Sequence, residues 1–132
     1  MLTLTLCAAP EITRIEWKTL RGLNYKTREQ SPELKKVNNT NVRLPGFMVP
    51  LEDDNQDVTE FLLVPYVGAC IHTPPPPPNQ IVHVKMQSGR KVKLNMWDPV
   101  WVTGKLRAET KASRMGAAAY TLSGDKFEPY KY

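Results

Sequence analysis

The residues best suited to chemistry are Cys70 and His72, in the segment GACIHTPPPPPNQ at residues 68–80. In an extended chain, a spacing of two places both side chains on the same face. A thiolate and an imidazole are typical ligands of zinc and copper. The pair is therefore a candidate metal site, which needs a third or fourth ligand from His83, Asp98 or a second molecule.

Two other interpretations of the Cys70 and His72 pair stay open. In the first, the thiol is buried, the imidazole bonds backbone, and the chain is a structural or protein-interaction domain without metal. In the second, the protein is a thiol-dependent enzyme in which His72 activates Cys70 and Asn79 orients the ring. Side chains two apart on a strand lie roughly parallel, which disfavours direct proton transfer between them. No other catalytic motif is present, so we expect a non-enzymatic protein.

A run of five prolines follows this pair: Pro74, Pro75, Pro76, Pro77 and Pro78. Proline fixes φ and lacks an N–H group, so the run predicts a stiff polyproline II segment. Residues 61–84 contain no Asp, Glu, Lys or Arg. These uncharged flanks favour a strut packed against the domain over an exposed docking rod. Asn79 and Gln80 end the run, and we expect their amides to bond backbone groups or else a ligand.

The charge pattern excludes several classes of partner. The 132 residues carry a net charge of +5, but the basic residues form no long run and are not interleaved with aromatic residues. We therefore expect no specific nucleic-acid partner. The uncharged stretch at 61–84 is long enough to span a membrane, but Pro65 and the proline run break any helix there. We expect no transmembrane segment in the mature chain, and the sequence does not indicate an oligomeric state.

The N-terminus predicts export. Residues 1–9 read as the remnant of a secretory signal, because the small residues Cys7 and Ala9 precede Pro10 at the positions that a signal peptidase requires. A lipoprotein signal with an acylated Cys7 is the alternative, which Leu6 disfavours. After cleavage Cys70 would be the single cysteine, so the mature chain would contain no internal disulfide.

Turn signals divide the rest of the chain into two parts. Residues 10–40 are predicted to be an N-terminal extension and polar connection, with a short helical turn or strand anchored by Trp17 and a poorly ordered stretch after it. Residues 41–132 are predicted to be a single β-rich domain.

The pattern of residues 41–132 predicts short strands with kinks. Strands are expected at 42–51 with a bend at Pro45-Gly46, at 58–64, at 81–86, at 99–106, and as a pair at 118–122 and 126–130. A polar turn is expected at 52–57. Short strands with internal bends are typical of an all-β fold, first a small OB-like β-barrel and alternatively a small β-sandwich.

Three segments resemble the signature of a family of secreted bacterial proteins catalogued as a domain of unknown function. They are VRLPGFMVPLE at 42–52, TEFLLVPYVGACIHTPPPPPNQIVHV at 59–84 and WDPVWVTGKLRAE at 97–109. The resemblance covers roughly residues 17–130. His83 stands where the family pattern has an aromatic residue, so it is not expected to be a family ligand.

The resemblance implies a signal peptide or lipoprotein signal, a periplasmic or cell-envelope location, and a small β-rich fold. Members of this family are often encoded beside ABC-transporter components, in some cases in zinc-responsive clusters. The resemblance therefore also implies an accessory binding role beside envelope transporter components, with zinc or copper as the candidate metal.

Overall fold

The computed structural model describes residues 11–51, 57–69 and 74–131. Its strands are β1 (Thr13–Arg14), β2 (Asn41–Pro50), β3 (Glu60–Val64), β4 (Val82–Met86), β5 (Val100–Arg107), β6 (Lys111–Ser113), β7 (Gly116–Ala118) and β8 (Tyr120–Pro129). Its α-helices are α1 (Trp17–Leu20) and α2 (Pro32–Val37). Two 3-10 turns cover Pro78–Gln80 and Gln87–Gly89.

Five of these strands close into a barrel. They pair in the order β2-β3-β4-β8-β5, and β5 pairs back with β2. Neighbours are antiparallel except β4 and β8, which are parallel. If the five barrel strands are numbered 1 to 5 along the chain, their order around the barrel is 1-2-3-5-4. This is the Greek-key arrangement of OB-type barrels. The expectation of a small all-β barrel is confirmed, and the sandwich alternative is not needed.

Strand β2 is long because it serves two partners. It pairs with β5 as far as Gly46 and with β3 from Phe47 onward. The bend expected at Pro45-Gly46 is this change of partner within one continuous strand. Gly46 suits the corner because a Cβ atom there would lie 2.8 Å from the Leu63 side chain and 2.9 Å from the Val64 carbonyl oxygen.

The expected strand pair at 118–122 and 126–130 is wrong, because this part of the chain forms the single strand β8. The register between β5 and β8 shifts beside Gly104, which leaves Asp125 as an extra residue on β8. Such a bulge bends a strand without ending it. Gly104 is needed there because a Cβ atom would overlap the backbone carbonyl of Ser123.

Alternation along the strands separates two hydrophobic clusters. The interior cluster fills the barrel and includes Phe61, Leu63, Val82, Val84, Met86, Tyr120 and Leu122. The outer cluster comprises Val49, Leu62, Val64, Ala69, Ile81 and Ala118. Strand β3 is therefore buried on both faces, and β4 alternates, as the sequence predicted. Because Ala118 ends β7, the β6–β7 hairpin packs on the outer cluster.

Residues 18–40 do not form the poorly ordered connection that their polarity suggested. Leu20, Leu23 and Leu34 are fully buried and belong to the interior cluster. Ser31 caps α2, since its Oγ accepts a hydrogen bond from the Leu34 N–H at 3.2 Å. Leu34 and Val37, which are three apart in α2, give the helix a buried face between charged residues, and overall polarity conceals that face. The division of the chain at residue 41 stays a prediction.

Some expectations fall on parts of the chain outside the described residues. These are the signal remnant at 1–9 and most of the polar turn at 52–57. Within residues 11–51, 57–69 and 74–131, no helix is long and apolar enough to cross a membrane.

Candidate functional site

Cys70 and His72 both lie outside the described residues, so the predicted metal pair stays a prediction. The chain is buried on either side of residues 70–73. Ala69, immediately before them, is fully buried in the outer cluster. Pro76, shortly after them, is buried as well. The described chain is therefore buried at one point before residues 70–73 and at another after them.

The proline run is partly packed and partly exposed. Pro76 is buried, whereas Pro74, Pro75 and Pro77 are exposed. Pro78 begins a 3-10 turn, and its carbonyl oxygen accepts a hydrogen bond from the Ala119 N–H at 2.9 Å. The end of the run is therefore bonded to the backbone that enters β8.

The amides of Asn79 and Gln80 bond backbone groups of the N-terminal segment. Asn79 Nδ2 donates to the Leu23 carbonyl oxygen at 3.1 Å. Gln80 Nε2 donates to the Trp17 carbonyl oxygen, also at 3.1 Å. Trp17 in turn donates from its indole Nε1 to the Pro45 carbonyl oxygen at 2.7 Å. These bonds tie the end of the proline run to α1, and α1 to β2.

The two side chains named as completing metal ligands have other partners. His83 is only 4% exposed, and its Nε2 lies 3.3 Å from Glu60 Oε2. Asp98 Oδ2 accepts a hydrogen bond from Asn95 Nδ2 at 3.2 Å. In the part of the chain that the structure describes, no three His, Cys, Asp or Glu side chains are grouped to hold a metal.

A basic cleft of about 350 Å³ opens on the outer surface beside His83. We call it the His83 cleft. Strand alternation supplies its lining, because His83 and Lys85 of β4 point outward together, as do Lys105 and Arg107 of β5. The remaining lining residues are Gln87, Glu109, Lys111, Thr121, Leu122 and Ser123.

The His83 cleft carries cations without matching anions. Glu60 Oε1 lies 3.7 Å from Lys85 Nζ, and Glu109 accepts a hydrogen bond from the Thr121 hydroxyl. Lys105, Arg107 and Lys111 form no ion pair with any described residue.

Burial lowers the pKa of His83 in this setting. The hydrogen bond that the ring donates to Glu60 raises that pKa, whereas the charges of Lys111 and Lys85 lower it. Burial is the largest of these effects, so the ring is neutral at neutral pH. A neutral ring that donates from Nε2 to Glu60 keeps Nδ1 as an acceptor. Nδ1 is buried and has no hydrogen-bond partner among the described residues.

A second cleft of about 610 Å³ lies around Trp101, and we call it the Trp101 cleft. The Arg43 guanidinium carbon stands 3.9 Å from the Trp101 ring centroid, and that of Arg14 stands 5.1 Å away. The Tyr130 ring stacks on Trp101 at 5.3 Å. Glu128 lies 3.9 Å from Arg43. The two arginines are thus held by an aromatic face, and one of them also by a carboxylate.

Neither cleft was predicted from the sequence. His83 was considered there as a completing metal ligand and as a departure from a family pattern, and the basic residues only as forming no long run. The signal for the His83 cleft was the repeat of polar, basic positions two apart, at 83 and 85 and again at 105 and 107. That pattern predicts side chains sharing an outer face, but it does not say that the two strands lie beside β8.

The fold and these clefts define a small Greek-key β-barrel protein with polar clefts on its outer surface. The chain belongs to the family described as "Protein of unknown function (DUF3299)", whose model matches residues 14–129. It is similar to a DUF3299 family protein, PA4066 from Pseudomonas aeruginosa PAO1, known from its crystal structure. The two chains share 36% identity with a TM-score of 0.72, over 95% of this chain and 99% of that one. No curated protein matches the chain.

Proposed function

We propose that this protein is a non-enzymatic binding module of the cell envelope that assists an ABC-type transport system. The observation that carries the proposal is the anchoring of the chain on both sides of Cys70 and His72. Ala69 is buried in the outer cluster, and Gln80 is bonded to the backbone of α1. Anchoring a binding segment at both of its ends lowers the conformational entropy that the segment loses when it binds a ligand.

The ligand in this proposal is zinc or copper(I), bound through Cys70 and His72. A thiolate selects these ions over harder ones such as magnesium and calcium. Cys70 must lose its proton to bind, so metal affinity falls as the pH falls.

Titration of the reduced protein, purified without a metal-affinity tag and with a competing chelator present, tests the metal proposal. We expect one equivalent of zinc to bind, Cys70→Ser to abolish binding and His72→Ala to weaken it. His83→Gln is the matched control, because the His83 ring is already bonded to Glu60. Affinity weaker than about micromolar, or unchanged binding by Cys70→Ser, contradicts the proposal.

The envelope location rests on the residues before Pro10 and on the family resemblance. Mass spectrometry of the protein isolated from the envelope checks it. We expect every residue through Ala9 to be absent from the mature protein. A mature chain that keeps Met1 and an unmodified Cys7 contradicts export.

A structural or protein-interaction domain without metal is the second candidate function. The observation that favours it is the exposure of three large apolar side chains, since Tyr66 is 43%, Val67 44% and Trp97 70% exposed. Exposed aromatic side chains are enriched where proteins meet other proteins. Failure of the zinc titration with a folded protein would leave this candidate in place of the first.

A further inference from the structure

The His83 cleft combines unpaired cations with a buried ring nitrogen that lacks a partner. Among the described residues around it, the carboxylates that face Lys85, Lys105, Arg107 and Lys111 are those of Glu60 and Glu109. Solvated lysines and arginines scattered on a surface need no explanation, but these converge on one concave space of about 350 Å³. The excess of positive charge at this place favours an anion.

The floor of the cleft is more selective than its rim. His83 is 4% exposed, and its Nδ1 is buried without a hydrogen-bond partner among the described residues. Buried polar atoms in folded proteins nearly always have a partner, and a lone one indicates a missing ligand or water. Because Nε2 is turned toward Glu60 on β3, Nδ1 is the ring nitrogen left without a partner among the described residues.

The protonation state of the His83 ring determines which anions can form a hydrogen bond with it. A neutral ring accepts a hydrogen bond at Nδ1, so a matching ligand must donate a proton there while its other oxygens accept from the cations. A phosphomonoester has its second pKa near 6 and can present both a P–OH group and anionic oxygens. A carboxylate or a sulfate is fully ionised at neutral pH and has no such donor.

The lining also argues against a single-stranded nucleic acid. Proteins that bind such strands stack the bases on aromatic side chains. Apart from the His83 ring in the floor, the residues that line this cleft include no aromatic side chain. The cleft therefore suits one phosphate group better than a chain of nucleotides.

We infer that the His83 cleft binds the phosphomonoester group of a small molecule or lipid headgroup, which His83 bonds at the floor while Arg107 and Lys111 hold the anionic oxygens at the rim. This site does not depend on the metal site at Cys70 and His72. Hydrogen bonds from arginine and lysine to phosphate are charge-assisted, and each is therefore stronger than a hydrogen bond between neutral groups.

Calorimetric titration of the full chain with glycerol phosphate, inorganic phosphate and sulfate at neutral pH tests the inference. We expect both phosphates to bind and sulfate to bind about tenfold more weakly, the ratio that one hydrogen bond typically gives. Arg107→Gln with Lys111→Gln should weaken phosphate binding by more than tenfold, on the order of one charge-assisted bond lost per site. Both changed residues are exposed, so the fold should be unaffected.

Two further variants make the result specific. Arg14→Gln with Arg43→Gln removes two cations from the Trp101 cleft, and we expect phosphate affinity to change by less than about twofold. His83→Phe removes the ring nitrogen and should bring phosphate and sulfate affinities close together. Absence of phosphate binding, equal binding by the Arg107 and Lys111 double variant, or equal preference for sulfate in the wild type overturns the inference.

The source of the phosphate group is decided by a second arm of the experiment. Vesicles of phosphatidylcholine with phosphatidic acid carry a terminal phosphomonoester, whereas pure phosphatidylcholine vesicles do not. Flotation with the first vesicles only, lost in the Arg107 and Lys111 double variant, assigns a lipid headgroup. Binding of glycerol phosphate without flotation assigns a small molecule. Flotation that survives in the double variant counts against the cleft as the binding surface.

Discussion

The His83 cleft and the Trp101 cleft lie on the outer surface of the same strand pair, on either side of one register shift. Trp101 faces Glu128 across β5 and β8 before the shift, and Lys105 faces Ser123 after it. Both clefts are basic. In the Trp101 cleft the arginines rest on an aromatic ring and one of them pairs with a carboxylate, whereas three cations of the His83 cleft have no ion pair among the described residues.

This difference distinguishes charged side chains that are already bound within the protein from charged side chains that remain available to bind a ligand. Arginine over an aromatic face stabilises the fold, since the interaction is made within the protein. Lys105, Arg107 and Lys111 of the His83 cleft make no such contact with a described residue, so their charges remain available to stabilise a bound anion. Net charge alone, which is +5 for the chain, does not distinguish the two situations.

Loss of Trp101 is expected to have the largest effect and to show that its cleft is structural. Trp101 is 8% exposed, contacts two arginines and stacks on Tyr130. We expect Trp101→Ala to lower the free energy of unfolding by about 3–4 kcal/mol, as truncation of a buried tryptophan does. Urea denaturation followed by circular dichroism measures it.

Trp97 supplies the matched control, because it is 70% exposed. We expect Trp97→Ala to change the free energy of unfolding by no more than about 0.5 kcal/mol. Phosphate affinity at the His83 cleft should be retained in both variants while they remain folded. Equal stability losses for the two tryptophans would mean that the Trp101 cleft does not stabilise the barrel.

Gly104 stands at the register shift that separates the two clefts, and its replacement should disturb both. In Gly104→Ala the new methyl group would overlap the Ser123 carbonyl on β8. We expect a loss of about 2–3 kcal/mol, typical of overpacking between strands, together with weaker phosphate binding. Differential scanning calorimetry and phosphate titration measure the two effects.

Gly89 is the matched glycine, since a Cβ atom there would meet nothing within 4 Å and only its positive φ of 65° opposes a side chain. Gly89→Ala should cost about 1 kcal/mol through backbone strain and leave phosphate binding unchanged. A Gly104→Ala protein as stable as Gly89→Ala would show that the strands can separate at the shift without penalty.

The sequence predicted the fold better than it predicted the clefts. The alternation at 81–86 and the continuous apolar run at 58–64 correctly predicted which faces of those strands are buried. Such burial can be read from the residues of one strand alone. Gly124 and Asp125 were misread as a turn because a bulge and a turn use the same residue types. The His83 cleft joins side chains from β4, β5, β6 and β8, and the Trp101 cleft joins side chains from β1, β2, β5 and β8. Which strands become neighbours depends on barrel closure rather than on any one segment.

The smallest predicted effect, the pH dependence of stability, sharpens the comparison because only the His83 cleft contains a buried histidine. Burial lowers the pKa of His83 below its ordinary value of 6.5. As the pH falls below about 6.5, His83 takes up a proton in the unfolded chain but not yet in the folded protein. The stability that the neutral ring contributes is therefore complete above that pH and declines as the pH falls toward the folded pKa.

In phosphate-free buffer, wild type should therefore lose more stability than His83→Gln between pH of about 7.5 and 5.5. Added phosphate should reduce the loss, because a protonated ring donates from Nδ1 to an anionic oxygen. Urea midpoints measured across this range decide the point: parallel curves for wild type and His83→Gln would mean that the ring carries no such penalty.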